Sequence, residues 1–138
     1  MAAVVVSLIK IKGGGGKTTV AFNLAWYAAY KRDMRVLVVD LDPQSNVSQY
    51  LMGAVAYRKF LDDAKPTIVD IFEQFTAPTI SKKSPTALNL KSLIIPIRKW
   101  NDGSGIDLLP SRLELAWTLK NPTSKDHLLA STISKVQQ

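Results

Sequence analysis

Lys12 and Lys17 bracket four consecutive glycines, Gly13, Gly14, Gly15 and Gly16, and two threonines follow at Thr18 and Thr19. Residue types in that order suit the binding of a phosphate chain. Glycines let successive backbone N–H groups turn toward an anion with no side chain in the way, and a helix starting behind them adds its positive end. Lys17 then reaches the outer phosphates, and the Thr18 hydroxyl is placed for a magnesium ion that bridges them. The commonest phosphate-loop spacing requires a glycine where Ile11 stands, so the pattern here is the variant Lys-Gly-Gly-x-Gly-Lys-Thr, with an additional lysine, Lys12. One lysine suffices for the near side of a triphosphate. The second needs a reason of its own.

A second constellation lies about two dozen residues on, where Arg-Val-Leu-Val-Val runs into Asp40-Leu-Asp42-Pro43. Side chains alternate along a strand, so Asp40 and Asp42 fall on one side, roughly 7 Å apart. Ligands of open parallel sheets gather at the carboxyl ends of strands. The two aspartates are therefore expected to face the phosphates, one in the magnesium shell and the other orienting a water molecule. On composition alone, aspartate before proline is also ordinary turn chemistry.

These groups must be positioned by strands and helices, and the apolar pattern supplies them. Residues 3–9 are rich in valine and isoleucine without alternation, as in a strand covered on both faces. Residues 18–32 lack proline and glycine and spread their apolar side chains over more than one face, which predicts a largely buried helix. Residues 35–40 predict a second buried strand, parallel to the first through a right-handed crossover. Short helices are expected at 45–52, closed by Gly53, and at 67–74, where Thr67 and Asp70 have capping-box spacing. Residues 76–87 read as a surface loop. Residues 88–97 and 106–109 read as strands joined by the turn-rich segment 100–105. Ser111 and Glu114 have the spacing of a further capping box, and a last helix is expected from Thr123. His127, the only histidine, lies on that helix and carries no evident chemistry.

The 138 residues suffice for one hydrophobic core, and 46% are apolar, so a globular α/β chain is expected rather than a disordered one. No cysteine is present, which removes disulfides, cysteine zinc sites and thiol nucleophiles together. A cytoplasmic setting is expected. The first residues lack the basic and cleavage features of a secretory leader, and the apolar stretch 20–30 is too short to cross a membrane. The net charge of +7 is uneven, at +5 over residues 1–35, −3 over 36–76 and +5 over 77–138. The basic ends read as solvated faces, since no tight cluster interleaves them with aromatics.

Residues 12–19 together with Val-Asp-Leu-Asp-Pro-Gln-Ser-Asn at 39–46 resemble the deviant Walker A loop and following motif of the ParA/Soj partition ATPases. Leu-Leu-Pro-Ser at 108–111 also resembles the family's segment after the hairpin. The Asp-Pro-Gln triplet at 42–44 separates this family from MinD-type division-site regulators and the nitrogenase iron protein, which share the loop. The resemblance implies a P-loop NTPase-like parallel sheet flanked by helices, binding ATP or ADP with Mg2+. It implies a homodimer on ATP binding and a ParB-like stimulating partner. Non-specific DNA would be bound through regions beyond these residues, in a bacterial, nucleoid-associated setting with no membrane. Gly13 to Gly16 with Lys17, Thr18 and Thr19 would hold the nucleotide. Lys12, Lys17 and Asp42 would be catalytic, Lys12 reaching the other subunit's phosphates, and Thr18 and Asp40 would serve the metal. The family continues with a Walker B strand, absent from this sequence, so residues 1–138 are expected to be the N-terminal part of a single ATPase domain. The alternatives are a non-catalytic nucleotide-binding fragment and a MinD-like membrane-surface ATPase.

Overall fold

In the computed structural model, residues 3–9, 16–76 and 89–116 are described. The elements run α1 (Lys17–Lys31), β1 (Arg35–Val39), α2 (Asn46–Met52), α3 (Ala54–Asp62), α4 (Ile68–Thr76), α5 (Leu90–Leu93), β2 (Ile95–Lys99) and β3 (Gly105–Leu109). The three strands form one sheet in the order β1-β3-β2. β1 runs parallel to β3, with Val39 opposite Leu109, and β2 runs antiparallel to β3. Pro96 and a register irregularity before Arg98 are tolerated because β2 lies at the edge of this sheet.

Alternation along β1 divides the core into two layers. Val36 and Val38 pack with Ala25 and Ala29 of α1 and with Ile106 of β3, and Trp26 and Trp100 close that layer. Leu37 and Val39 face the other way, onto Ile68, Val69, Ile71 and Phe72 of α4 together with Leu93, Leu109 and Leu115. Helices thus cover both faces of the sheet. α4 is entered through the predicted capping box: the Thr67 N–H donates to Asp70 Oδ2 (2.7 Å), and Thr67 Oγ1 accepts from the Val69 N–H (3.2 Å).

Several expectations need correction. Residues 3–9 form no strand, and Val4, Val5, Val6 and Ile9 are strongly exposed. A strand exists only through a ladder, and the parallel partner of β1 is β3 instead. α1 is not largely buried, since only Ala25 and Ala29 are inside while Val20, Leu24, Tyr27 and Tyr30 are exposed. The stretch 88–97 divides, because Asn89 accepts from the Lys91 N–H (3.1 Å) and caps α5 before β2 begins. The Ser111 hydroxyl has no partner among the described residues, so the second capping box does not form there. α3 was not anticipated. The expected loop from 77 onward and the last helix with His127 lie outside the described residues.

Candidate functional site

Of the glycine loop, Gly16 and the residues after it are described, whereas Lys12, Gly13, Gly14 and Gly15 lie outside. Gly16 has φ +73° and ψ 12°, left-handed backbone that only glycine adopts without strain, and its carbonyl accepts the first helical bond from Val20 (2.8 Å). Among the described residues no side chain caps α1, and its first turn contains no acidic residue. A helix of 15 residues with that opening turns its first-turn N–H groups and the positive end of its dipole toward the glycine loop, which fits a phosphate chain. Lys17 and Thr18 are half-buried on the first turn and Thr19 is exposed.

The aspartates stand at the carboxyl end of β1, as expected, but in contrasting surroundings. Asp40 is 3% exposed. Its Oδ1 accepts from the Asp42 N–H (3.0 Å), and its Oδ2 accepts from the Ser48 N–H (2.9 Å) and the Ser48 hydroxyl (2.6 Å). Burial pushes its pKa above the ordinary carboxylate value, with the Ser48 and Asp42 hydrogen bonds opposing the rise and the Asp42 charge adding to it. Asp42 is half-buried, and its Oδ1 accepts from the Gln44 N–H (2.9 Å) while its carbonyl accepts from the Ser45 N–H (2.8 Å). Of the two metal candidates, Thr18 sits in the open first turn of α1, whereas the Asp40 carboxylate is engaged by three protein donors. No group of three or more acidic, histidine or cysteine side chains able to hold a metal is found among the described residues.

Ser48 and Tyr57, to which the sequence gives no role, and Ser111, expected only as a helix cap, complete the arrangement. Ser48 Oγ also accepts from the Ser111 N–H (3.1 Å), and the Ser111 carbonyl accepts from the Tyr57 hydroxyl (2.8 Å). Ser48 and Ser111 are fully buried. The turn after β1 and the turn after β3 are thereby laced together. Only the position of Ser48 in the first turn of α2 hinted at this, and the hint does not identify a partner 63 residues away.

A family model described as an AAA domain matches residues 3–138. The chain belongs to that family. Within it, the relatives and the solved structures point to the ParA/Soj type. The sporulation initiation inhibitor protein Soj of Bacillus subtilis is 33% identical over 113 residues, which cover 78% of this chain and 39% of that protein. The chromosome-partitioning ATPase Soj of Thermus thermophilus is 54% identical over 46 residues, 33% of this chain and 18% of that one. Among solved structures, a plasmid partition protein from Borrelia burgdorferi bound to AMPPNP superposes with a TM-score of 0.64 at 25% identity, covering 90% of this chain and 44% of that chain. This ParA/Soj-type chain thus spans less than half the length of these relatives. No helix among its described residues is long and apolar enough to cross a membrane.

Proposed function

We propose that this chain carries the nucleotide site of an ATP-hydrolysing switch of the partition type, serving plasmid or chromosome segregation. The observation that carries the reading is the start of α1: a glycine in the left-handed conformation, an uncapped helix with no acid in its first turn, and Lys17 and Thr18 immediately behind it. Lys17 neutralises the outer phosphates, and Gly13 to Gly16 with Thr19 offer backbone N–H groups to the chain of phosphates. Thr18 supplies a hydroxyl to the metal. Magnesium, when bound, neutralises phosphate charge as the terminal group is transferred. Asp42, half-buried and held in its turn by Gln44 and Ser45, accepts a hydrogen bond from the attacking water and orients it.

Lys12 meets the charge developing on the nucleotide of a second copy, which makes hydrolysis conditional on dimerisation. A ParB-like protein stimulates turnover, and non-specific DNA is engaged through segments other than residues 1–138. The setting is the bacterial cytoplasm, at the nucleoid. The test is phosphate release by this chain and by the chain extended through the reading frame beyond Gln138, with DNA and the cognate stimulating protein. Turnover is expected from the extended chain. Binding of AMPPNP without any release would favour a non-catalytic nucleotide module instead. Lys12→Ala is expected to abolish stimulated turnover while leaving AMPPNP affinity within a few-fold. A loss of affinity would place Lys12 in its own subunit's site.

A further inference from the structure

The turn that bears Asp42 contains a strained residue. Ser45, at the start of α2, has φ +55° and ψ 28°, left-handed backbone that a side-chain-bearing residue seldom adopts, and it is 2% exposed. The Ser45 side chain does not itself cap this end of α2. What spans the turn is the Asp40 carboxylate, which takes the Asp42 N–H on one oxygen and the first turn of α2, through Ser48, on the other. The Ser48 hydroxyl is the only side-chain donor to Asp40 among the described residues, and it simultaneously receives the Ser111 N–H from the turn after β3.

We propose that Asp40 and Ser48 form a positioning clamp, which fixes the Asp42 turn against the turn after β3 so that the Asp42 carboxylate is held where hydrolysis requires it. This rests on the hydrolytic role of Asp42 given above. Asp40 acts through the backbone of Asp42 and not as a metal ligand. Ser48 acts through Asp40, and Ser111 supplies the fixed wall. A carboxylate spanning a turn from inside resists its opening at both ends, which side-chain packing alone does not do for a segment as polar as 42–48. Displacement of a positioned group by about 1 Å can cost on the order of 100-fold in rate, so loss of one hydroxyl in this clamp is expected to be visible in kcat.

The test compares Ser48→Ala, Ser48→Thr and wild type in the chain extended beyond Gln138, by phosphate release and by AMPPNP binding. Ser48→Ala is expected to lower kcat about 10- to 100-fold with AMPPNP affinity unchanged within twofold, and Ser48→Thr, which keeps the hydroxyl, to recover most of the rate. A merely structural role would move affinity and turnover together. An unchanged kcat in Ser48→Ala would overturn the clamp. If the wild type itself releases no phosphate, the hydrolytic reading fails separately, and amide hydrogen exchange then decides the clamp. The Asp42, Ser48 and Ser111 amides should be protected in wild type, and those of Asp42 and Ser111 should lose protection in Ser48→Ala. Unprotected amides in wild type, or protection unchanged in Ser48→Ala, would overturn it.

Discussion

Replacing Thr67 isolates how much the entrance to α4 contributes to the fold. Thr67 is fully buried, and its hydroxyl both accepts from the Val69 N–H and donates to Asp70 Oδ2, each at 3.2 Å. Thr67→Ala removes that hydroxyl and a buried methyl group. The cap is worth about 1 kcal/mol. The methyl adds about 0.8 kcal/mol in lost burial, with a further cost for the void it leaves. The sum is about 2 kcal/mol, or about 8 °C in Tm for a chain of this size. Thr67→Val keeps the shape and leaves the Val69 N–H without its acceptor in a buried place, at about 1–2 kcal/mol. Thr67→Ser keeps the hydroxyl and loses only the methyl, at about 1 kcal/mol. Urea unfolding followed by far-UV circular dichroism gives the three values, with an unchanged m-value showing that the unfolded state is not the source. If Thr67→Val matches wild type, or Thr67→Ser is the more damaging of the two, the hydrogen bonds do not stabilise α4 and the reasoning fails.

Gly105→Ala brings a Cβ to 2.7 Å from the Arg98 carbonyl, which belongs to the backbone of β2, so the hairpin must shift; a loss of about 1–3 kcal/mol is expected in the same unfolding assay. Asp102 accepts from the Ser104 hydroxyl (2.6 Å) and N–H (2.8 Å), which lower its pKa. A lowered folded pKa means that this stabilisation is present above the ordinary carboxylate value and is lost as pH falls through the folded one. Asp102→Asn should therefore be less stable than wild type at pH 7, and the difference should close in acid. A gap that widened in acid would contradict the sign. With Val4, Val5, Val6 and Ile9 exposed close together in sequence, the chain is expected to self-associate with rising concentration in light scattering, and a monomer throughout would count against that.

What could be read from the sequence was local, and what could not was pairing. The capping box at Thr67 and Asp70, the glycine before α1 and the strand ending in Asp40 depend on residues a few positions apart, and each appears as expected. The valine-rich segment 3–9 satisfies every local criterion for a strand, yet no local criterion supplies the neighbouring strand it needs. α3 escaped notice because Arg58 and Lys59 interrupt its apolar pattern, and its two inward aromatics, Tyr57 and Phe60, are only three residues apart. Serine three residues before glutamate commonly provides a cap, which is what the spacing of Ser111 and Glu114 predicts. Instead the Ser111 backbone is engaged by Ser48 and Tyr57, and Glu114 lies 3.7 Å from Arg112. The role of Ser48 depends on two partners brought together by the sheet, so its identity as a serine carried no signal.

The hydrophobic core and the aspartate turn meet at the register of β1 on β3. With Val39 opposite Leu109, the Asp40 N–H reaches the Leu109 carbonyl (3.1 Å), and both chains leave the sheet at the same edge because the strands are parallel. That common exit is what allows Ser48, in the first turn of the helix that follows one strand, to reach Ser111, in the turn after the other. Each face of β1 packs on a different helix in that register. A slip of one residue would turn Leu37 and Val39 away from α4 and onto α1, and would send Val36 and Val38 the opposite way. The same slip would withdraw Asp40 from its donors. The packing of Val36 and Val38 on one face and of Leu37 and Val39 on the other therefore does more than build a core. It fixes where the strand ends, and so where the aspartate turn begins and which backbone it is clamped against.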